Sequence, residues 1–364
     1  MTVDYQARLA RLNALDGADA VAIVPGPNMV YFTGLHVHLS ERPTIAIITA
    51  DGLHFIMPKL EAIKVENRAD LDAQLFIWSD EDGFAGAFQA AADALNLNDL
   101  RFAVDGQTMR VFEYLAFQRA GVTHIGDVGQ ELLGIRAIKS AEEINLLRDA
   151  VERSEQALDA LLKWVQPGMT EREIASKLGQ LLQEYGMSEL SFAPLVQVGP
   201  SSALPHGMPG DRALAQDDFI LIDFGGKIDG YPADITRTFC LGTPTVEMSK
   251  IYDTVLAANQ AGIAAAKPGV PCGDVDKAAR DVIEAAGYGE YFTHRTGHGL
   301  GLEGHESPQI AAGVTDTLQP GMVFTVEPGV YVPGLGGVRI EDNIAVTADG
   351  IDVLTSYPRR LEVE

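Results

Sequence analysis

Residues 219–239 read FILIDFGGKIDGYPADITRTF. Phe219 to Ile222 is an unbroken apolar run, the composition of a buried strand, and it ends on Asp223, a charge that such a position does not accept without compensation. Gly225, Gly226, Asp229 and Gly230 then supply turn residues, and a second strand, Pro232 to Phe239, carries Asp234. The midpoint between Asp223 and Asp234 falls at Ile228/Asp229, inside the turn. A hairpin centred there sets the two carboxylates opposite each other, close enough to share a cation.

The construction recurs near the C-terminus. Val323 to Val326 is apolar and ends in Glu327; Pro333, Gly334, Gly336 and Gly337 form a turn; Val338 to Ile340 follows and ends in Glu341, with Gly334 at the midpoint of the two glutamates. A single acidic residue at a strand end reads as part of a solvated face. Four of them beside two glycine turns favour a metal, because like charges crowded together largely protonate unless a cation neutralises them. A histidine ligand is then expected from the run HRTGHGLGLEGHE, residues 294–306, which holds His294, His298 and His305 among glycines at 297, 299, 301 and 304. Those glycines permit close backbone approach to a site.

Outward from these motifs the chain shows a repeat. Helical stretches at Ala141 to Val165 and Thr170 to Tyr185 precede the first acidic hairpin, and Met248 to Ala266 and Asp274 to Ala286 precede the second. Pro167-Gly168 lies 19 residues before Gly186, and Pro268-Gly269 lies 19 residues before Gly287. Two halves related by pseudo-twofold symmetry are expected, each with two helices backing antiparallel strands. The first third alternates differently. Ala20 to Val24, Thr44 to Ile48, Leu53 to Met57, Leu75 to Trp78 and Phe102 to Val104 read as strands, with helices around Glu61 to Asn67, Gly86 to Leu95 and Met109 to Ala120. This is a small α/β domain, taken as residues 1–130, before an α+β domain at 131–364. Ser140-x-x-Glu143 is a capping box that opens the first long helix, so the boundary is expected between Val122 and Ala137.

Bulk properties narrow the function. At 364 residues two domains are the natural division. The net charge of −24 repels phosphate backbones, so nucleic acid is not an expected partner. No apolar run is long enough to cross a bilayer, and Met1 to Asn13 lacks the apolar core and cleavage site of a secretory signal, which leads to the expectation of a cytoplasmic protein without a membrane partner. Cys240 and Cys272 stand outside any Cys-x-x-Cys or Cys/His cluster and are expected as buried packing residues.

Taken together, Asp223-Phe224-Gly225 with Asp234-Ile235-Thr236-Arg237-Thr238, Gly297 to Leu302, His305-Glu306, Val326-Glu327-Pro328-Gly329 and Arg339-Ile340-Glu341-Asp342 resemble, in order, the metal-binding segments of the Xaa-Pro peptidases, relatives of methionine aminopeptidase and creatinase. The similarity runs from about Ile138 to the C-terminus and implies the pita-bread fold, with a preceding domain like that family's smaller N-terminal domain. It implies two divalent metal ions: Asp223 on one, Asp234 and Glu341 bridging, His298 and Glu327 completing the other. His206, in Leu204-Pro205-His206-Gly207, and His305 match histidines that contact substrate in the family. A set of four carboxylates to one imidazole favours manganese, with zinc or cobalt as alternatives. Related enzymes are commonly homodimers.

The implied activity is hydrolysis of Xaa-Pro bonds in short peptides, with Glu327 as proton shuttle, His206 and His305 at the substrate, and Arg339 near it, more as a brace for a carboxylate than as a substrate contact. An Xaa-Pro dipeptidase is narrowly favoured; an Xaa-Pro aminopeptidase acting on longer peptides and a non-catalytic peptide-binding protein of the same fold are the alternatives. Dipeptidases of this family often carry an arginine four residues after the histidine that matches His305, and here that position is Gln309. The segment Gly34 to Pro43 reads as a mobile loop whose Arg42 is a candidate for the missing charge on the substrate carboxylate. Its alternative is an ordinary pairing with Glu41.

Overall fold

All five apolar runs of the first third become strands: β1 (Ala20–Ile23), β2 (Ile45–Thr49), β3 (Gly52–Pro58), β4 (Ala73–Trp78) and β5 (Phe102–Val104). A short β6 (Ile125–Asp127) joins them in one mixed sheet of order β4-β3-β2-β1-β5-β6, in which β1 runs antiparallel to β2 and parallel to β5. Alternate residues Ala20 and Ala22 of β1 and Ile45 and Ile47 of β2 share a core with Phe88 and Ala91 of the helix Ala85–Ala94 and with Phe117 of the helix Val111–Arg119. Period-two alternation with helical cover is what the pattern required. Three further helices, Tyr5–Asn13, Pro27–Thr33 and Gly129–Ala137, were not expected. The second of them carries a start and a stop in plain view: Pro27 at its first position, and Gly34 in the left-handed region at φ 67°.

The structure, a computed structural model describing residues 3–13 and 15–362, divides into two compact units between Arg136 and Ala137. In the second unit α1 (Ala141–Leu162) opens at Ser140, whose hydroxyl accepts from Glu143 N while the Glu143 carboxylate accepts from Ser140 N. Its buried Leu147, Ala150, Val151, Ser154, Ala157, Leu158 and Leu161 form one stripe facing α2 (Glu171–Glu184) and the strands beneath. α3 (Val246–Ala265) and α4 (Cys272–Ala285) pack together in the same way in the second half.

The two halves repeat down to single hydrogen bonds. Gly168 N donates to Leu214 O, and Gly269 N to Leu318 O; Glu171 N donates to Arg212 O, and Cys272 N to Asp316 O; Met187 N donates to Leu182 O, and Tyr288 N to Ile283 O. Gly186 and Gly287 end their helices in the left-handed region, at φ 87° and 85°. Cys240 and Cys272 are buried and unpaired with each other. Among the described residues no helix is long and apolar enough to cross a membrane.

The strands of this unit are antiparallel. β7 (Leu195–Val198), β8 (Phe219–Phe224) and β9 (Ile235–Cys240) form one sheet with β8 central. β10 (Gly297–Gly299), β11 (Glu306–Ile310), β12 (Val323–Val326) and β15 (Asp342–Val346) lie in another, and β13 (Gly329–Val332) pairs with β14 (Gly336–Arg339). The second acidic hairpin has the expected centre: Gly329 pairs with Arg339 on one side and Val326 with Asp342 on the other, so Glu327 and Glu341 hold facing positions between them.

The first hairpin differs from expectation. Its turn is Asp229-Gly230, both in the left-handed region at φ 47° and 85°, which moves the centre toward the C-terminus. Asp223 therefore faces Thr236, and Asp234 lies diagonally to it, two positions along. The single strand expected from Pro232 to Phe239 is also interrupted at Ala233 and Asp234. Gly225 makes that break possible, because a Cβ there would overlap the Ala233 carbonyl oxygen.

Candidate metal centre

Because a diagonal pair still projects to one face of a sheet, the register shift keeps Asp223 and Asp234 together. β10 brings His298 beside them. Gly297 admits that strand, since a Cβ there would overlap the Thr325 carbonyl oxygen, whereas Gly304 meets nothing and has no such role. Single ligand atoms of Asp234, His298 and Glu341 lie within 4.8 Å of one another. His298 Nε2 stands 3.2 Å from Glu327 Oε1 and 3.6 Å from Asp234 Oδ2, while its Nδ1 is 3.1 Å from Gly299 O. A proton on Nδ1 is thus satisfied by a carbonyl, and Nε2 is directed at the carboxylates.

Three of the four carboxylates are each held by one oxygen. Arg339 Nη2 donates to Asp223 Oδ2, Thr236 Oγ1 donates to Glu341 Oε2 at 2.6 Å, and Thr325 Oγ1 donates to Glu327 Oε1 at 3.1 Å. Arg339 is itself fixed, donating from Nε to Thr236 Oγ1 at 3.0 Å and from Nη1 to the Tyr331 hydroxyl at 2.9 Å. Asp342, fully buried, binds Arg237, Arg359 and Asn259, and Asn343 clamps the backbone of Asp234. What remains is informative: Asp223 Oδ1 and Glu341 Oε1 are buried and have no hydrogen-bond partner. Two orphaned anionic oxygens beside an imidazole fit a divalent cation, since an unpaired buried charge is otherwise very costly.

Protonation follows the same logic. Burial first, then neighbouring carboxylates, push Asp234 and Glu341 well above the ordinary carboxylate range, and burial raises Asp223 against the pull of Arg339. Burial also acts to raise Glu327, but the hydrogen bond and charge of His298 overcome it and hold Glu327 down to about 2. Burial would lower His298, and its bond to Glu327 raises it instead.

His305 lies against His298, ring centroids 4.2 Å apart, and is pushed down to about 4 by burial and then by the charges of His298 and Arg295. His206 is exposed on the loop after Pro205, whose carbonyl accepts from Arg339. Arg339 braces Asp223, Thr236 and Tyr331 rather than standing free. In the other unit, Arg42 binds Asp80 through two hydrogen bonds of 2.8 Å and Glu41 through one of 2.6 Å, so it has carboxylates of its own. Thr236, Arg237, Asp342, Asn343 and Tyr331 support the site and were given no role from sequence. A sequence signal exists for Thr236 and Arg237, which sit in the Asp234–Thr238 segment, and for Asp342, which closes the Arg339–Asp342 segment.

Comparison with known proteins shows the family. The model of metallopeptidase family M24 matches residues 145–348, and that of the creatinase/prolidase N-terminal domain matches residues 6–138. An uncharacterized peptidase of Staphylococcus haemolyticus is 39% identical over 343 residues, 94% of this chain and 96% of the relative. Among solved structures, a prolidase from Thermococcus sibiricus superposes with a TM-score of 0.92 at 32% identity, covering 100% of both chains. An X-Pro aminopeptidase from Thermotoga maritima superposes with a TM-score of 0.85 at 30% identity, covering 98% of this chain and 100% of that one.

Proposed function

The chain belongs to metallopeptidase family M24 as a peptidase of the Xaa-Pro group, with a creatinase-type N-terminal domain and a pita-bread domain, and on that premise we propose that it is a dinuclear exopeptidase cleaving Xaa-Pro bonds in short peptides, dipeptides first. The observation that carries this reading is the convergence of Asp223, Asp234, His298, Glu327 and Glu341 with two carboxylate oxygens left unpartnered. The family implies divalent metal ions. These five side chains would hold two, manganese being the best match to a set dominated by carboxylate oxygens, with zinc or cobalt as alternatives.

A bond to proline is a tertiary amide without an N–H, so a peptidase that grips that hydrogen cannot use it. When bound, the metal ions supply an acidified water and a polarised scissile carbonyl. The protein's own groups do the rest. Glu327 Oε1 accepts from Thr325, which leaves Oε2 to carry a proton to the departing nitrogen. His305, beside His298, donates to the developing oxyanion, and His206 contacts the substrate from its exposed loop. Arg339 keeps Asp223 oriented.

The second reading, an Xaa-Pro aminopeptidase taking tripeptides and longer, is supported by the Thermotoga neighbour and by glutamine at position 309. Homodimer formation is part of the proposal by resemblance alone. One assay separates the readings: Ala-Pro, Ala-Pro-Ala and Ala-Ala are offered to metal-stripped protein before and after manganese addition. Manganese-dependent cleavage of Ala-Pro is expected. Cleavage of Ala-Ala at an equal rate would sink the proline requirement, and no cleavage of any of the three would sink the enzyme.

A further inference from the structure

We infer that Arg295 is the group that recognises the free α-carboxylate of the substrate's C-terminal residue, replacing an arginine that this chain lacks at position 309. The inference deepens the proposed function and rests on it. Its starting point is where Arg295 points. The backbone around it is pinned, with Thr296 N and Oγ1 donating to the buried Asp276 at 3.1 and 2.8 Å, and with Arg295 O 2.7 Å from His294 Nδ1. From there Arg295 Nη1 donates to Gln309 Oε1. Gln309 pairs directly with His298 across β10 and β11, and directly paired residues project to one face. The glutamine, anchored in turn by its Nε2 bond to Glu306 O at 3.1 Å, therefore draws the guanidinium to the side of the sheet that carries the metal-site imidazole. The charge of Arg295 reaches His305 there.

The partner is what makes this arginine unusual. Every other buried or half-buried arginine of the unit holds a carboxylate: Arg148 with Asp352, Arg153 with Asp149, Arg237 and Arg359 with Asp342, Arg280 with Asp276, and Arg339 with Asp223. Arg295 is half-buried and, among the described residues, makes no ion pair in a chain with a net charge of −24. A neutral amide uses one of its five N–H donors and leaves the planar fork open for a bidentate acid. Two divalent cations would balance the four carboxylates of the centre, and Arg339 is already spent on Asp223. Arg295 is then the cation available to an anionic substrate group on this face. A dipeptide places a carboxylate one residue beyond the scissile bond, whereas in a longer peptide that position is an uncharged amide.

The test compares wild type and Arg295→Met, both loaded with manganese, on Ala-Pro and on Ala-Pro amide. The expected result is a loss of about 10- to 150-fold in kcat/KM for Ala-Pro, carried mostly by KM, with less than about a 2-fold loss for the amide and unchanged metal content. Arg295→Lys, which keeps the charge but not the fork, should fall between, and it stands in if the methionine variant does not fold. Calorimetric titration of both peptides into the loaded proteins reads the same discrimination without turnover. A wild type that turns over neither peptide would therefore refute the peptidase assignment and still leave Arg295 decided by binding. Equal losses on the two peptides, or no loss on either, would overturn the inference and favour the longer-peptide reading.

Discussion

Thr236→Val is the most direct probe of how the protein holds its acidic centre, because it deletes one oxygen and keeps the shape. Thr236 is fully buried on β9, opposite Asp223. Arginine has donors only, so the 3.0 Å contact from Arg339 Nε makes Thr236 Oγ1 an acceptor there, and its own proton must go to Glu341 Oε2 at 2.6 Å. Valine ends both bonds and leaves a carboxylate oxygen and a guanidinium N–H buried without partners. Hydrogen bonds to charged groups contribute about 1.5–3 kcal/mol each, so the metal-free protein should lose about 3–6 kcal/mol. For a domain of this size even the lower figure lowers the melting transition by about 6–12 °C. Glu341 also loses its orientation, and disturbing such a support typically costs about 10- to 100-fold in metal affinity. Differential scanning calorimetry with a chelator reads the first effect, and manganese titration into stripped protein reads the second. A variant that melts within about 2 °C of wild type and binds manganese equally well would show that the hydroxyl holds neither group, and the account of the centre's support would fail.

Chelation should abolish turnover while the protein stays folded, because its cores are apolar clusters independent of any ion, and Asp234→Ala or Glu341→Ala should lose bound metal and turnover together; full activity in either variant would reject the ligand set. His305→Ala should lower kcat by about 10²–10³-fold with metal content intact, whereas His298→Ala should lose metal; identical metal content and rate in the two variants would refute the division of roles. The stability of metal-free protein should fall as pH rises. Asp234 and Glu341 have folded pKa values raised above those of the unfolded chain, so their contribution is complete below the ordinary carboxylate range near about 4 and is lost as pH climbs through the raised values. Chelated protein should therefore melt lower at pH 8 than at pH 5, and manganese should remove most of the difference; a higher melting temperature at pH 8 in chelator would contradict the sign.

Local sequence was enough for much of this molecule, and the reason is physical. Helix starts such as Ser140 and Thr170, strand runs such as Phe219 to Ile222, and the paired Pro-Gly and Gly punctuation are short-range signals whose meaning does not depend on distant residues. The second acidic hairpin was legible for the same reason, since a turn centred on Gly334 sets its own register. The first is not fixed by such a local signal. Its register depends on which two turn residues take positive φ, and Asp229-Gly230 lies one position beyond the Ile228-Asp229 pair that simple symmetry of the aspartates selects, which moves the partner of Asp223 by two. The chemistry-bearing types were visible as charges at strand ends, but what surrounds them was not. Arg339 bracing Asp223, Thr236 linking Arg339 to Glu341, and Asp342 gathering Arg237, Arg359 and Asn259 join residues up to more than a hundred positions apart. Arg295 and Gln309 are the clearest case. Gln309 stands out in the sequence only as a missing arginine and Arg295 not at all, and only the pairing of β10 with β11 sets beside the histidines a cation that, among the described residues, has no carboxylate.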